Sequence, residues 1–400
     1  MCNKWFTKPE RKNYYLKQKH TNILNDHLGG ISYRNLASRH NSYPRKICSL
    51  VNSLTSSLKP CSEVTKELVN PANYSGNLIT DGKYIPVKDC VPDSSVPKPK
   101  KRRKIEKGMV FITNIDYHTH DFPHFTSDLS ENLFVLNKNF KALKDLNYPL
   151  KSLTCDNKKE IVASCLRYYP EAKIQLCLAH YSREIRRKLV VQGVKRTIKS
   201  LEKKLSYLSD DLKIPTRHYA KEKAVTLTKQ IDSLKRRYQT LINFQDLMLG
   251  IIFAKSIQGR DEKLNYLENV FFKHDFKPER LVKEHKNKIL KVYRIFKEDQ
   301  KFLFTHLEYP ELNIPTTTNL LEAINGHFED RLTGIRGFES TKTSRNYFNA
   351  LILQRRFKIF KSCRFPFAHL NERFPLEIVK AKNILKIKDN WVRYCFKKRP

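Results

Sequence analysis

Residues 152–189, SLTCDNKKEIVASCLRYYPEAKIQLCLAHYSREIRRKL, decide the fold class. The apolar residues before Asp156 predict a short strand, and the apolar spacing that follows predicts an amphipathic helix that Pro170 must end. A second strand alternates Ile174, Leu176 and Leu178. The pattern is a β-α-β unit that places Asp156 at the carboxyl end of its first strand. Sheets of α/β proteins usually carry their chemistry at that end.

Composition indicates a soluble chain with a polyanionic partner. Its 400 residues are 40% apolar, which is enough for two or three domains with a core. Lys and Arg number 77 against 40 Asp and Glu, a net charge of +37. Nucleic acid is the commonest partner of so basic a protein.

The sequence offers little for a membrane or a secretory route. No segment approaches the roughly 18 apolar residues of a spanning helix, and residues 1–6 lack a signal-peptide core. The nine cysteines form no Cys-x-x-Cys pair, which favours reduced thiols. We therefore expect no membrane partner and a cytoplasmic, nucleoid-associated location in a bacterium or archaeon, or the nucleus in a eukaryote.

Residues 1–60 predict a small helical module. One helix spans about 9–28 and is closed by Gly29-Gly30, and a short helix and a longer one starting near Pro44 follow. The functional interpretation is a helix-turn-helix that binds DNA, with Arg45 and Lys46 at the start of its recognition helix. The alternative is an ordinary helical hairpin, because many helix pairs share this spacing.

A linker is expected at 61–75, and residues 76–181 begin the main domain. Two apolar strands flank a basic run, which is read as a solvated hairpin tip able to contact DNA phosphates or as a nuclear-localisation signal. The candidate DNA contacts in this run are Lys100, Lys101, Arg102 and Arg103.

The order of elements is strand, strand, strand, helix, strand, helix, strand and then helices. This order predicts an α/β, ribonuclease-H-like mixed sheet with a large α-helical insertion at 182–312, a return to the domain at 313–361 and a basic tail at 362–400. In such folds acids from the first strand, the fourth strand and a late helix hold two metal ions. Asp81 and Asp156 occupy the two strand positions, and Mg²⁺ prefers carboxylate oxygens.

A helix after the insertion supplies the third candidate acid. In PTTTNLLEAINGHFEDRLTGIRGF (315–338), Glu322, Asn325 and Glu329 share one face by their spacing of three and four. Arg336 lies just beyond the helix between two glycines. The alternative for Glu322 is an ordinary first-turn glutamate favoured by the helix dipole.

From about Ile31 to Phe357 the chain resembles the Mutator-like transposases. The marks of this resemblance are Asp81-Gly82, Thr154-Cys155-Asp156 with Tyr169-Pro170, Cys177-x-x-His180, and Thr318-Asn319 before Glu322 and Asn325. The family has a ribonuclease-H-like catalytic domain with an Asp-Asp-Glu triad.

The resemblance implies that Asp81, Asp156 and Glu322 are catalytic ligands of Mg²⁺ or Mn²⁺, bound as two ions. Asn325, one turn after Glu322, and Arg336 are candidate DNA contacts from their positions in the sequence. The resemblance further implies a transposase that binds double-stranded element ends and target DNA as a homo-oligomer. Two rivals remain: a catalytically inactive DNA-binding descendant, and a nuclease of the same fold that cuts without joining.

Several residues compete for roles. Cys177 and His180 match the family's Cys-x-x-His signature, but two ligands do not make a zinc site, which needs four. A zinc site that joins them to a histidine cluster is one alternative, and support of the active site or contact with DNA is the other. The histidines are His118, His120 and His124, and the competing acids are Asp89, Asp93, Asp116, Asp121, Glu329 and Asp330.

Overall fold

The computed structural model describes residues 9–87, 108–211, 218–272, 283–333, 338 and 340–396. The chain divides into two compact units. Unit one comprises residues 1–173 and 318–400, and unit two comprises residues 174–317. Unit one is therefore discontinuous in sequence, because the whole of unit two is inserted between its parts.

Seventeen helices occur in the described residues. Those of unit one are α1 (Pro9–Leu28), α2 (Tyr33–Arg39), α3 (Pro44–Ser56), α4 (Cys61–Leu68), α5 (Leu133–Asp145) and α6 (Lys159–Tyr168). Those of unit two are α7 (Leu178–Leu189), α8 (Val191–Asp211), α9 (His218–Ile252), α10 (Ile257–Phe271), α11 (Lys283–Leu303) and α12 (Thr305–Glu308). Unit one resumes with α13 (Asn319–Thr333), α14 (Thr341–Arg356), α15 (Pro375–Ile378), α16 (Ile384–Ile387) and α17 (Trp391–Cys395).

The β-sheet is mixed, as the sequence predicts. Its strands are β1 (Asn77–Pro86), β2 (Gly108–Asp116), β3 (Phe125–Asp128), β4 (Ser152–Cys155) and β5 (Lys173–Leu176), in the order β3-β2-β1-β4-β5. β2 is antiparallel to β1 and β3, whereas β1 and β4 are parallel. Lys173, the residue of β5 that belongs to unit one, donates its backbone N–H to the carbonyl of Lys151 at 2.8 Å. The α/β class is confirmed, and the strand order is compatible with a ribonuclease-H-like core.

The helices before the sheet begin and end where their local chemistry requires. α1 ends at Leu28, one residue before Gly29-Gly30, because Gly30 has φ +104°, a conformation that favours glycine. The Ser32 hydroxyl accepts the N–H of Asn35 and caps α2. Pro44 is the first residue of α3, where its missing N–H costs nothing.

The expected linker differs from the structure. Residues 61–68 form α4, which buries Cys61, Val64 and Leu68. The side chain of Asn349 on α14 accepts the Cys61 N–H and donates to the Lys59 carbonyl, each at 2.9 Å. This segment is therefore a packed part of unit one.

The expected tail is also packed. The Lys59 N–H donates to the carbonyl of Cys395 at 2.6 Å, and the ring of Trp391 stacks on Phe357 at 5.8 Å. Its helices α15, α16 and α17 have only four or five residues each, too short for a clear helical period in the sequence.

An aromatic cluster joins the sheet of unit one to its late helices. The ring of Phe348 on α14 lies 4.2 Å from Phe111 on β2 and 5.4 Å from Phe328 on α13. All three rings are buried. This packing holds α13 in contact with β1, the strand that carries Asp81.

Unit two is built mainly of helices. α9 is its longest helix, and α7, α8, α10 and α11 all pack against it. Its core includes Leu241, Phe244 and Met248, with the ring of Phe271 5.1 Å from Phe244. The unit spans 174–317 and so includes residues 178–181 at the start of α7, which the sequence analysis assigned to the main domain.

Among the described residues, no helix is both long and apolar enough to cross a membrane.

Candidate active site

The backbone register brings the two predicted aspartates to equivalent positions. β1 and β4 run parallel, with Asn77 opposite Ser152 and Ile79 opposite Thr154. Asp81 lies two residues after Ile79, and Asp156 lies two residues after Thr154. Since neighbouring strands lie about 4.8 Å apart, this parallel pairing brings the backbones of the two aspartates close together. Both residues are half-buried.

Asn325 and Asp81, two predicted site residues, are in direct contact. Asn325 donates its side-chain N–H to Asp81 Oδ2 at 3.1 Å, and Asp81 Oδ1 accepts the Gly82 N–H at 2.8 Å. Asn325 is 4% exposed. Its Oδ1 is buried and has no hydrogen-bond partner among the residues described. The Asn325 Oδ1 therefore lies beside Asp81 as an acceptor that no described residue uses.

Glu322 lies one turn before Asn325 on α13 and is half-buried. Residues three apart on a helix share a face, so Glu322 is on the same side of α13 as Asn325. Within the described ranges, Asp81, Asp156 and Glu322 do not form a cluster whose ligand atoms all lie within 4.8 Å of one another. The ligands of two ions about 3.5–4 Å apart lie farther from one another than the ligands of a single ion. The triad therefore stays a prediction, with its three acids on elements that meet.

Asp116 is fully buried and serves the structure. Its Oδ2 accepts hydrogen bonds from the Ser75 N–H and hydroxyl, the Gly76 N–H and the Tyr148 hydroxyl. Its Oδ1 accepts from the N–H and the hydroxyl of Thr119. With six donors directed at it, Asp116 fastens the start of β1 to the end of β2 and has little capacity left for a metal.

Asp121 is the acid of a buried ion pair. Arg356 donates Nε–H to its Oδ1 at 2.7 Å and a second N–H to its Oδ2 at 2.8 Å, and both side chains are 0% exposed. The Tyr74 hydroxyl also donates to Oδ2. This is a bidentate pair with a structural role.

The remaining competing acids do not displace Glu322. Glu329 is exposed and pairs with Lys83 at 2.6 Å, and Asp330 is exposed. Asp89 and Asp93 lie outside the described residues.

One acid near the site was missed. The Glu131 side chain is 4% exposed and accepts a hydrogen bond from Lys158 at 2.5 Å. A Cβ on Gly82 would lie 2.9 Å from its Oε2, so the end of the Glu131 side chain packs closely against the residue after Asp81. Burial lowers the pKa of Lys158, but Glu131 and then Asp156 raise it above its usual value. Gly82 itself was the available sequence signal, because a glycine after a candidate acid often marks a close approach.

Cys177 and His180 lie together in unit two. Cys177 is buried at the N-cap of α7, and its Sγ lies 3.2 Å from Nδ1 of His180 one turn later. Two ligands are half of a structural zinc site. The role of the pair stays unassigned.

The three clustered histidines have separate surroundings. His118 contacts Asn77 at 3.1 Å, and His124 contacts the Thr126 hydroxyl at 2.9 Å. The His120 ring packs edge-on against Phe367 at 4.4 Å. In the part of the chain that is described, these histidines form no metal cluster among themselves.

Two of these histidines predict a pH dependence of stability. Burial lowers the pKa of His120 to about 3, and burial with Lys138 lowers that of His124 to about 4. The unfolded chain takes up these protons near pH 6.5, so the stabilisation is complete above that pH and is lost as pH falls towards 4. We expect a loss of up to about 1.4 kcal/mol per pH unit for each histidine.

Acid titration of tryptophan fluorescence checks this dependence, because Trp391 lies in unit one. His124→Gln should make the stability less dependent on pH between 6.5 and 4. His327→Gln, at an exposed position, is the matched control. An unchanged pH dependence in His124→Gln would contradict the assignment.

The predicted DNA contacts are described only in part. Arg45 and Lys46 are exposed in the first turn of α3, beside Tyr43, whose side chain is 79% exposed. This arrangement leaves the start of α3 open to a ligand. The residues Lys100, Lys101, Arg102, Arg103 and Arg336 lie outside the described residues.

Comparison with known proteins gives a remote structural likeness. No family model matches the chain, and no curated protein matches it. Among solved structures it is similar to the Drosophila P element transposase strand transfer complex, at 12% sequence identity and a TM-score of 0.36. The match covers 81% of this chain and 92% of that chain. A likeness at this TM-score carries no argument about function.

Proposed function

We propose that this chain is a DNA transposase of the Mutator-like type, which cleaves the ends of a mobile element and joins the freed 3′-hydroxyl to target DNA. The observation that carries the proposal is the parallel pairing of β1 with β4, with Asp81 and Asp156 each two residues beyond the last paired residues, and with Asn325 of α13 hydrogen-bonded to Asp81. Two carboxylates on neighbouring strands, next to a helix that bears a third, suit metal-dependent phosphodiester chemistry.

The donor set fits Mg²⁺ or Mn²⁺. Asp81, Asp156 and Glu322 would hold the metal, because hard cations prefer carboxylate oxygens. The buried Asn325 Oδ1, with no hydrogen-bond partner in the described segments, is a further oxygen donor at this place. Two bound ions would activate the attacking oxygen and stabilise the leaving oxygen of the phosphodiester.

Other residues near these acids have supporting roles. The Asn325 amide orients Asp81 through its hydrogen bond. Lys158 is 44% exposed beside Glu131 and can meet a DNA phosphate. Arg45 and Lys46 on α3 would read or grip the element end, and the net charge of +37 favours a DNA partner throughout. Because transposition brings two DNA ends together, the active form is a homo-oligomer on DNA.

The test is cleavage and joining by the full chain. Duplexes taken from the DNA on either side of its own gene serve as element ends, since a mobile element carries its ends around its gene. With Mg²⁺ we expect cleaved 3′ ends and their covalent transfer to a plasmid, resolved on denaturing gels. Binding without cleavage would favour the inactive DNA-binding alternative, and cleavage without joining would favour a nuclease.

A further inference from the structure

A cavity of about 430 Å³ lies on the α8–α9 hairpin of unit two. Its wall on α9 follows one stripe of the helix, at spacings of three and four residues. The polar residues of this stripe are Thr226, Lys229, Gln230, Ser233 and Arg237. No carboxylate is among the described residues that line it. The cavity therefore presents cations and hydroxyls without an acid to neutralise them.

Arg237 gives the cavity its specific chemistry. Its Nε is buried and has no hydrogen-bond partner within the described ranges. A guanidinium stays charged, and a buried donor without an acceptor is costly. An anion with oxygen acceptors satisfies both the charge and the donor.

The cavity lies where the packing of the hairpin changes. The buried apolar residues of α8 end at Ile198, and those of α9 begin at Ile231. Between these positions no described residue is buried. Packing thus does not account for this half of the hairpin, in contrast to the well-packed half that follows Ile231.

The net charge of this segment indicates the kind of partner that it binds. Residues 191–237 contain 13 Lys or Arg and 5 Asp or Glu, which is a net +8 of the chain's +37. The salt bridge between Lys235 and Glu202, at 2.8 Å, neutralises one of the acids. An excess spread along two helices matches an extended polyanion better than a small phosphate compound.

We propose that the α8–α9 hairpin is a second DNA-binding surface and that the cavity beside Arg237 receives a backbone phosphate of duplex DNA. The choice of DNA as the polyanion rests on the proposed function. The Arg237 guanidinium and the Lys229 ammonium donate to the phosphate oxygens. The contact is independent of base sequence, because the backbone phosphates are the same in every duplex.

The test measures affinity of the full chain for a short fluorescent duplex of arbitrary sequence, by anisotropy over a series of salt concentrations. Arg237→Gln with Lys229→Gln should weaken binding about tenfold and lower the salt slope by about two. Lys221→Gln with Lys223→Gln removes the same charge from α9 outside the cavity and should cost less than about threefold. Arg237→Lys keeps the charge without Nε and should show part of the loss.

Two results would overturn the proposal. Equal losses in the two double variants would mean that the cavity contributes only general charge. A nucleoside triphosphate that binds the wild type and not Arg237→Gln, while DNA affinity is unchanged, would assign the cavity to a small phosphate compound. Cleavage is measured separately on the same variants, so a failure of cleavage is distinguishable from a failure of the hairpin site.

Discussion

Asp156→Asn is expected to reduce both DNA cleavage and strand transfer by about a hundredfold to a thousandfold. The amide keeps the shape of the side chain but removes the negative charge that a divalent metal requires from its ligands. Asp156 follows β4, next to the Asp81 position on β1, so its loss acts at the centre of the proposed site. Gel assays of both steps with Mg²⁺ measure the effect.

The matched control for this variant is Asp330→Asn. Asp330 is an exposed acid on α13, and the same chemical change there should leave both steps near the wild-type rate. Titration with Mn²⁺, followed by its paramagnetic resonance signal, gives a readout that does not depend on activity, and Asp156→Asn should bind the ion more weakly. Wild-type rates in Asp156→Asn would exclude Asp156 as a metal ligand.

Asp121→Leu is expected to destabilise unit one by about 3–5 kcal/mol, because it would leave the buried guanidinium of Arg356 without its carboxylate. Both groups are fully buried, so water cannot replace the lost partner. Thermal unfolding followed by tryptophan fluorescence measures the loss in unit one.

A double substitution tests whether the unpaired charge causes the loss of stability. Asp121→Leu with Arg356→Met removes both charges and should recover most of the lost stability, since apolar residues can replace a buried pair. Asp145→Asn breaks the exposed pair with Lys141 and should leave the melting temperature nearly unchanged. A double variant as unstable as Asp121→Leu would mean that the ion pair is not the cause.

Local signals in the sequence predicted much of the fold. Gly29-Gly30 marked the end of α1, and Pro170 marked the end of α6, which the structure ends at Tyr168. Asp81 and Asp156 were identified from strand pattern alone, and the parallel pairing of β1 with β4 brings their backbones together. These features depend on residues that are close together in the sequence, so one sequence is enough to predict them.

Contacts between residues that are distant in sequence explain why the sequence alone could not separate structural acids from candidate catalytic acids. Asp116 and Asp121 resembled catalytic acids until Tyr148 and Arg356 were seen to bond them. Glu131 was not predicted, because it follows β3 and its contact is with Gly82 on β1, which is distant in sequence. α4 was not predicted, because its eight residues form little more than two helical turns and show no clear helical period in the sequence.

The pairing of Asp121 with Arg356 has a consequence for synthesis of the protein. The two residues are 235 positions apart, so at about 5–20 residues per second a ribosome supplies the arginine roughly 12–47 s after the aspartate. During that interval the nascent first unit cannot close its core. Glu322 and Asn325 also emerge late, so under the proposed function a prematurely terminated product would lack the third proposed metal ligand.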